Sequence, residues 1–120
     1  MNYTIFVYGT LMQGRSNHHY LEKSRYLGEA SLNGYVLYDT DDAYPAAVAK
    51  EGSVILGEVY EIDEKTKEEC DELEEVGILY GCKEVEVIMD GKPLKALFYE
   101  YLEDVSGFTL SKADRKWDLS

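Results

Sequence analysis

Only one stretch of this chain carries the period of a long helix, and that limits the fold more than any other feature. Over residues 63–76, Thr66, Cys70 and Leu73 recur at spacings of four and three, and Ile62 extends the stripe backwards. Asp63 is a natural N-cap, Glu64 suits the positive start of a helix, and Gly77 is a natural C-terminal stop. Elsewhere the apolar residues come in short β-branched and aromatic runs. Residues 3–8, stopped by Gly9, read as a buried strand. Residues 26–32 and 35–38 flank Asn33-Gly34, and residues 80–89 and 94–101 flank Asp90-Gly91, dipeptides that favour tight hairpin turns. Residues 39–44 read as an acidic loop and 45–48 as a short extended piece. Residues 53–62 read as the longest strand, with Gly57 marking a bend or bulge. A short helix is expected through residues 18–21. Strands and helices do not alternate as βαβ units require, which disfavours a doubly wound parallel sheet. The expected fold is α+β: a small mixed, mostly antiparallel β-barrel with flanking helices, in a single domain over residues 1–120.

Charge narrows the functional classes. Acidic side chains number 24 against 12 basic, a formal charge of −12. Such a surface repels phosphate backbones, which argues against nucleic acid and anionic membranes as partners. No apolar run approaches the roughly 18 to 20 residues of a membrane span. Met1-Asn2-Tyr3-Thr4 lacks a basic segment followed by a long apolar stretch, so no secretory signal is read there. Cys70 and Cys82 are too few for a disulfide framework and lack metal-motif spacing. The expectation is a cytoplasmic, metal-free single domain.

Several motifs compete for chemistry. Gly9 to Ser16 has the spacing of a phosphate-binding loop after a strand, but arginine stands where that motif needs lysine, and little periodic helix follows. Adjacent His18 and His19 point in divergent directions, and no further His or Cys completes a metal site, so loop-anchoring hydrogen bonds are the plainer reading. Cys70 lies on the apolar stripe of the helix and reads as a small core residue. Cys82 has no histidine partner in view. Eleven tyrosines suit sheet faces or the rim of a polar cavity, and composition does not say which line a site. Residues 58–75 hold ten acids against Lys65 and Lys67, mostly solvated face. At about 100° per residue, with Thr66 at zero, Cys70 and Leu73 fall within about 40°. On the same wheel Glu68, Glu72 and Glu75 point toward water, while Glu69 and Glu74 flank the stripe at roughly 60° and 80°. Glu74 also sits in the last turn, where the negative end of the helix dipole disfavours ionisation. A half-buried carboxyl there would have a raised pKa, as a general base near neutral pH requires.

Together these segments resemble the gamma-glutamylcyclotransferase-like family, especially its gamma-glutamylamine cyclotransferase branch. The resemblance begins with Val7-Tyr8-Gly9-Thr10-Leu11, then Gly14, Asn17-His18 and Leu21. It runs on through Tyr44-Pro45-Ala46, the segment from Gly57 to Asp63, Leu73-Glu74, and Leu79-Tyr80 entering a valine-rich strand. The ordered series covers about residues 3–101. It implies a small barrel holding a cavity, in which Tyr8, Gly9, Thr10 and Leu11 grip a γ-glutamyl head group largely through backbone. It also implies that Glu74 is catalytic and that Tyr80 binds substrate. Thr10 and Leu11 stand where sister enzymes carry serine and asparagine, which favours the gamma-glutamylamine-like branch. Glu75 departs from the pattern by adding an acid beside Glu74, and Gly81-Cys82 replaces the basic residues common after the tyrosine.

The reaction implied is intramolecular. The α-amine of a γ-glutamyl amide attacks the γ-carbonyl, forms five-membered 5-oxoproline and releases an amine, with no cofactor or metal required. The rival expectation is a non-catalytic ligand-binding or interaction module on the same fold, which retention of Glu74 argues against.

Overall fold

The computed structural model describes residues 2–39, 45–74, 76–102 and 109–110. In chain order these form strand β1 (Asn2–Val7), a short 3-10 helix (His18–Leu21), β2 (Arg25–Asp39), β3 (Pro45–Asp63), helix α1 (Glu64–Leu73), β4 (Tyr80–Met89), β5 (Lys92–Tyr101) and β6 (Thr109–Leu110). The strands lie in the order β3-β1-β5-β4-β2-β6, and β3 pairs with β2 as well. That extra pairing brings the order back to its start, so β1 to β5 close on themselves. β1 and β5 run parallel, and the other pairs are antiparallel. Two seams are narrow: β1–β5 meets at Ile5↔Leu97 and β2–β4 at Ser31↔Ile88. The seam β2–β3 is long, from Arg25↔Glu61 to Asp39↔Pro45. Ile5, Phe6, Leu32, Leu37, Ile55, Val59, Val87 and Phe98 belong to the buried core that this sheet wraps. The mixed, mostly antiparallel expectation stands.

Local detail departs from the sequence reading in instructive ways. Asn33-Gly34 does not turn the chain: β2 runs straight through it as one strand. Asn33 pairs with Val54 but Tyr35 pairs with Ala49, so Gly34, at φ +86°, faces the extra residues 50–53 of β3. Asn-Gly favours a left-handed backbone whether the chain reverses or merely bulges. Partners on β3 on both sides of Gly34 decide for the bulge. For the same reason the pieces 45–48 and 53–62 are one strand, Pro45–Asp63. Gly57 is not the bulge expected of it, since it pairs in register with Ala30. A side chain there would lie 2.3 Å from the Val7 carbonyl and 2.7 Å from the Phe6 ring, so the glycine admits a close approach of β1. Asp90-Gly91 does turn the chain. Both residues have positive φ, 54° and 76°, the backbone of a two-residue hairpin, and β5 starts at Lys92 rather than 94.

Helix α1 starts as its cap dictates, with the Asp63 carboxylate accepting the Thr66 N–H at 2.8 Å. It ends at Leu73, three residues before the expected limit of 76, and Val76 beyond it is 38% exposed. The Val76 N–H reaches back to the Asp71 carbonyl at 3.1 Å, a Schellman-type closure. Gly77, expected as the stop, lies beyond it and bonds the Tyr80 carbonyl at 2.7 Å. β6 was not expected; it pairs with the end of β2 through Tyr38↔Leu110. No helix among the described residues is long and apolar enough to cross a membrane.

Candidate active site

The chain leaves β1 at Val7 and enters a loop tied down by groups from several places. Met12 N–H bonds the Gly9 carbonyl at 3.1 Å, and Asn17 N–H bonds the Thr10 carbonyl at 2.9 Å. The Asn17 side-chain amide donates to Thr10 Oγ1 at 3.0 Å. His18 Nδ1 lies 3.0 Å from the Leu11 carbonyl, and since a carbonyl only accepts, Nδ1 carries the proton. This is the loop-anchoring role expected of that histidine. Three successive carbonyls, those of Gly9, Thr10 and Leu11, are thus engaged within the loop's own neighbourhood. A trans peptide sets its N–H opposite its carbonyl, so the N–H groups of Thr10 and Leu11 point the other way.

Behind the loop lies Glu58, 5% exposed and the one buried charged residue among those described. Its Oε1 accepts the Gln13 N–H at 2.9 Å and the Tyr60 hydroxyl at 3.1 Å. In the sequence Glu58 is one of ten acids over residues 58–75, and the helical wheel that sorts the acids of α1 does not reach it. A usable signal was its alternation with Tyr60 and Ile62, which period two places on the same, buried face of β3.

A pocket of about 310 Å³, its open mouth included, lies beside this loop, lined by Val7, Tyr8, Gly9, Thr10, Leu11, Pro45, Glu74, Tyr80 and Tyr99. All six residues singled out in the sequence (Tyr8, Gly9, Thr10, Leu11, Glu74 and Tyr80) line this one cavity. Tyr99 was missed, as nothing in its strand sets it apart from the other tyrosines. The tyrosine hydroxyls point to protein acceptors. Tyr8 donates to the Tyr99 carbonyl at 2.5 Å and Tyr80 to the Pro45 carbonyl at 2.7 Å. Tyr99 donates to Asp71 Oδ1 at 2.7 Å, while Asp71 Oδ2 pairs with Lys67 at 2.6 Å. The Asp71–Tyr99 bond holds the end of α1 against β5, and the residue just past that end is Glu74.

Glu74 is therefore the C-cap of α1 rather than part of its last turn. Its flank assignment survives this shift. Glu74 is partly buried in the pocket, whereas Glu69, expected on the other flank, is exposed like Glu68 and Glu72. Burial pushes its carboxyl up to about 7. Its place at the negative end of the helix acts in the same direction. The Tyr8 hydroxyl is held far above its usual range, by burial first and then by Tyr80 and Glu74, so it stays a neutral donor. Cys70 is buried in the core as expected, and burial raises its thiol to about 12; Cys82 is free and half-buried. Glu75 and Tyr44 lie outside the described residues. Among the described residues, no group of three or more His, Cys, Asp or Glu side chains is placed to hold a metal.

A family model described as gamma-glutamyl cyclotransferase, AIG2-like, matches residues 5–119. A Vibrio cholerae protein provisionally named a gamma-glutamylcyclotransferase is 47% identical over 81 residues, covering 67% of this chain and 69% of that one. The gamma-L-glutamyl-butirosin B gamma-glutamyl cyclotransferase of Niallia circulans is 39% identical over 71 residues, covering 59% of this chain and 45% of that one. A crystal structure of a Pyrococcus horikoshii protein superposes with a TM-score of 0.75 at 35% identity, covering 94% of this chain and 88% of that one.

Proposed function

The chain belongs to the gamma-glutamyl cyclotransferase, AIG2-like family, and on that premise we propose that it releases 5-oxoproline and a free amine from a γ-glutamyl amide, with Glu74 as general acid and base. The observation that carries this reading is a carboxyl at about 7, raised by burial, in a pocket it shares with Tyr8 and the loop 9–11. An α-amine near pKa 8 gives its proton to an ordinary glutamate near 4.3 only uphill, by about 5 kcal/mol. Against a carboxyl at about 7 the same transfer costs about 1.4 kcal/mol. The Glu74 carboxylate first takes a proton from the α-ammonium, and the lone pair so freed bonds the γ-carbon. The resulting acid gives that proton to the amide nitrogen as its bond to the carbon breaks, and the regenerated carboxylate takes the second proton from the new ring nitrogen and passes it to the departing amine.

The Thr10 and Leu11 N–H groups are the donors for an anionic part of the substrate, which a protein of charge −12 otherwise repels. Tyr8 and Tyr80 shape the walls, and holding the amine over the carbonyl adds the proximity term. No cofactor enters this scheme, and the substrate is a small cytoplasmic γ-glutamyl compound. The relative from Niallia circulans, named for γ-glutamyl-butirosin B, supports a departing amine that is not an ordinary amino acid.

Incubating the protein with γ-glutamyl amides should yield 5-oxoproline; binding without product would instead mark a non-catalytic ligand-binding module. The acidic surface and Gly81-Cys82 after Tyr80 favour a cationic departing amine over one bearing a second carboxylate. At one ionic strength, kcat/KM should be higher for γ-glutamyl-ε-lysine than for γ-glutamyl-alanine. The reverse order would sink the leaving-group argument and leave the cyclisation standing.

A further inference from the structure

We infer that Glu58 is a positioning residue for the pocket, acting through the Gln13 N–H to hold the loop that carries Thr10 and Leu11. The inference rests on the cyclotransferase reading of that pocket. Glu58 does not line the cavity, and burying a carboxylate is costly unless its partners are well placed. Its partners here are the loop and its support. Oε1 accepts both the Gln13 N–H and the Tyr60 hydroxyl. These two bonds join β3 to the far end of the loop. The Tyr60 ring also packs against the ring of His18, centroids 5.9 Å apart, and His18 bonds the Leu11 carbonyl. The Glu58–Tyr60 pair thus reaches the loop at two points, Gln13 directly and Leu11 through His18.

Because both bonds converge on one oxygen, the loop needs an acceptor at that reach rather than a charge. This separates two conservative variants. Glu58→Gln keeps the acceptor and loses the charge; Glu58→Asp keeps the charge and withdraws the oxygen by one methylene. A loop that grips the substrate equally before and during reaction should show its loss in KM rather than kcat. Glu58→Gln should therefore hold KM within about twofold of wild type, while Glu58→Asp raises it about tenfold with kcat nearly unchanged.

The experiment combines steady-state formation of 5-oxoproline from a γ-glutamyl alkylamine, thermal melts of both variants, and the Gln13 backbone amide followed by NMR. That amide should stay slow to exchange in Glu58→Gln and become fast in Glu58→Asp. Equal impairment of the two variants, or wild-type KM and amide protection in Glu58→Asp, would overturn the inference. If the wild-type protein forms no 5-oxoproline from any γ-glutamyl amide, the functional reading falls instead. The Gln13 amide then still decides whether Glu58 holds the loop.

Discussion

On one wall of the pocket, the loop 9–13 is held by directed bonds: Asn17 to Thr10, His18 to Leu11, Glu58 to Gln13. On the other wall, burial is what shifts the Glu74 carboxyl, with no counter-charge contributing. The first wall needs position, so its backbone is tied at several points from elsewhere in the chain. The second, in the role proposed for Glu74, needs a proton affinity matched to neutral pH, and a partner such as Lys67 would destroy that by pulling the pKa down. Lys67 is instead occupied by Asp71, one turn before Glu74. On the proposed function, binding and proton transfer lie on separate walls, so changes on the two walls should have different kinetic signatures.

The largest effect is expected from the desolvated wall. Glu74→Gln keeps the shape and should lower kcat at least 100-fold with the fold intact by circular dichroism, whereas Glu75→Gln stays within a few-fold. Equal losses in the two variants would abolish the distinction between these adjacent acids. The same substitution should reveal what the raised pKa costs. The folded state holds the Glu74 proton more tightly than the unfolded chain, so the carboxyl costs nothing below about pH 4. The penalty grows as pH rises and is complete above about 7, reaching up to roughly 3 kcal/mol. Urea titrations should find Glu74→Gln more stable than wild type at pH 8 and indifferent at pH 4; no pH dependence of the difference would mean the carboxyl is not desolvated.

On the bonded wall, a Cβ at Gly9 would lie 2.8 Å from Cγ of the Pro45 ring, and the Pro45 carbonyl is the acceptor for Tyr80. Gly9→Val should therefore raise KM about tenfold and lower Tm by several degrees, with kcat much less affected. Asn17→Ala removes only the bond to Thr10 Oγ1 and should raise KM about threefold with no change in the pH profile of kcat. A shift of that profile would show that the two walls are coupled.

Comparing sequence and fold separates what is local from what is not. The sequence alone determined the features whose causes lie within a few residues. These are the Asp63 cap and the apolar stripe of α1, the run of β1, the turn at Asp90-Gly91, and the net charge of −12. The ordered series from Tyr8 to Tyr80 also pointed to six of the nine residues that line the pocket. What the sequence left open was every feature whose cause is a partner distant in the chain. Asn33-Gly34 allows a turn or a bulge, and only the long seam with β3 selects the bulge. Gly57 is explained by the carbonyl of Val7, fifty residues earlier. Glu58 and Glu61 are equally acidic in the sequence; Glu58 is buried because Gln13 and Tyr60 stand ready to satisfy it, while Glu61 keeps contact with solvent. Burial and hydrogen-bond satisfaction are properties of the closed sheet rather than of any segment, so the pKa of Glu74 and the hold on the loop emerge only once the strands have met.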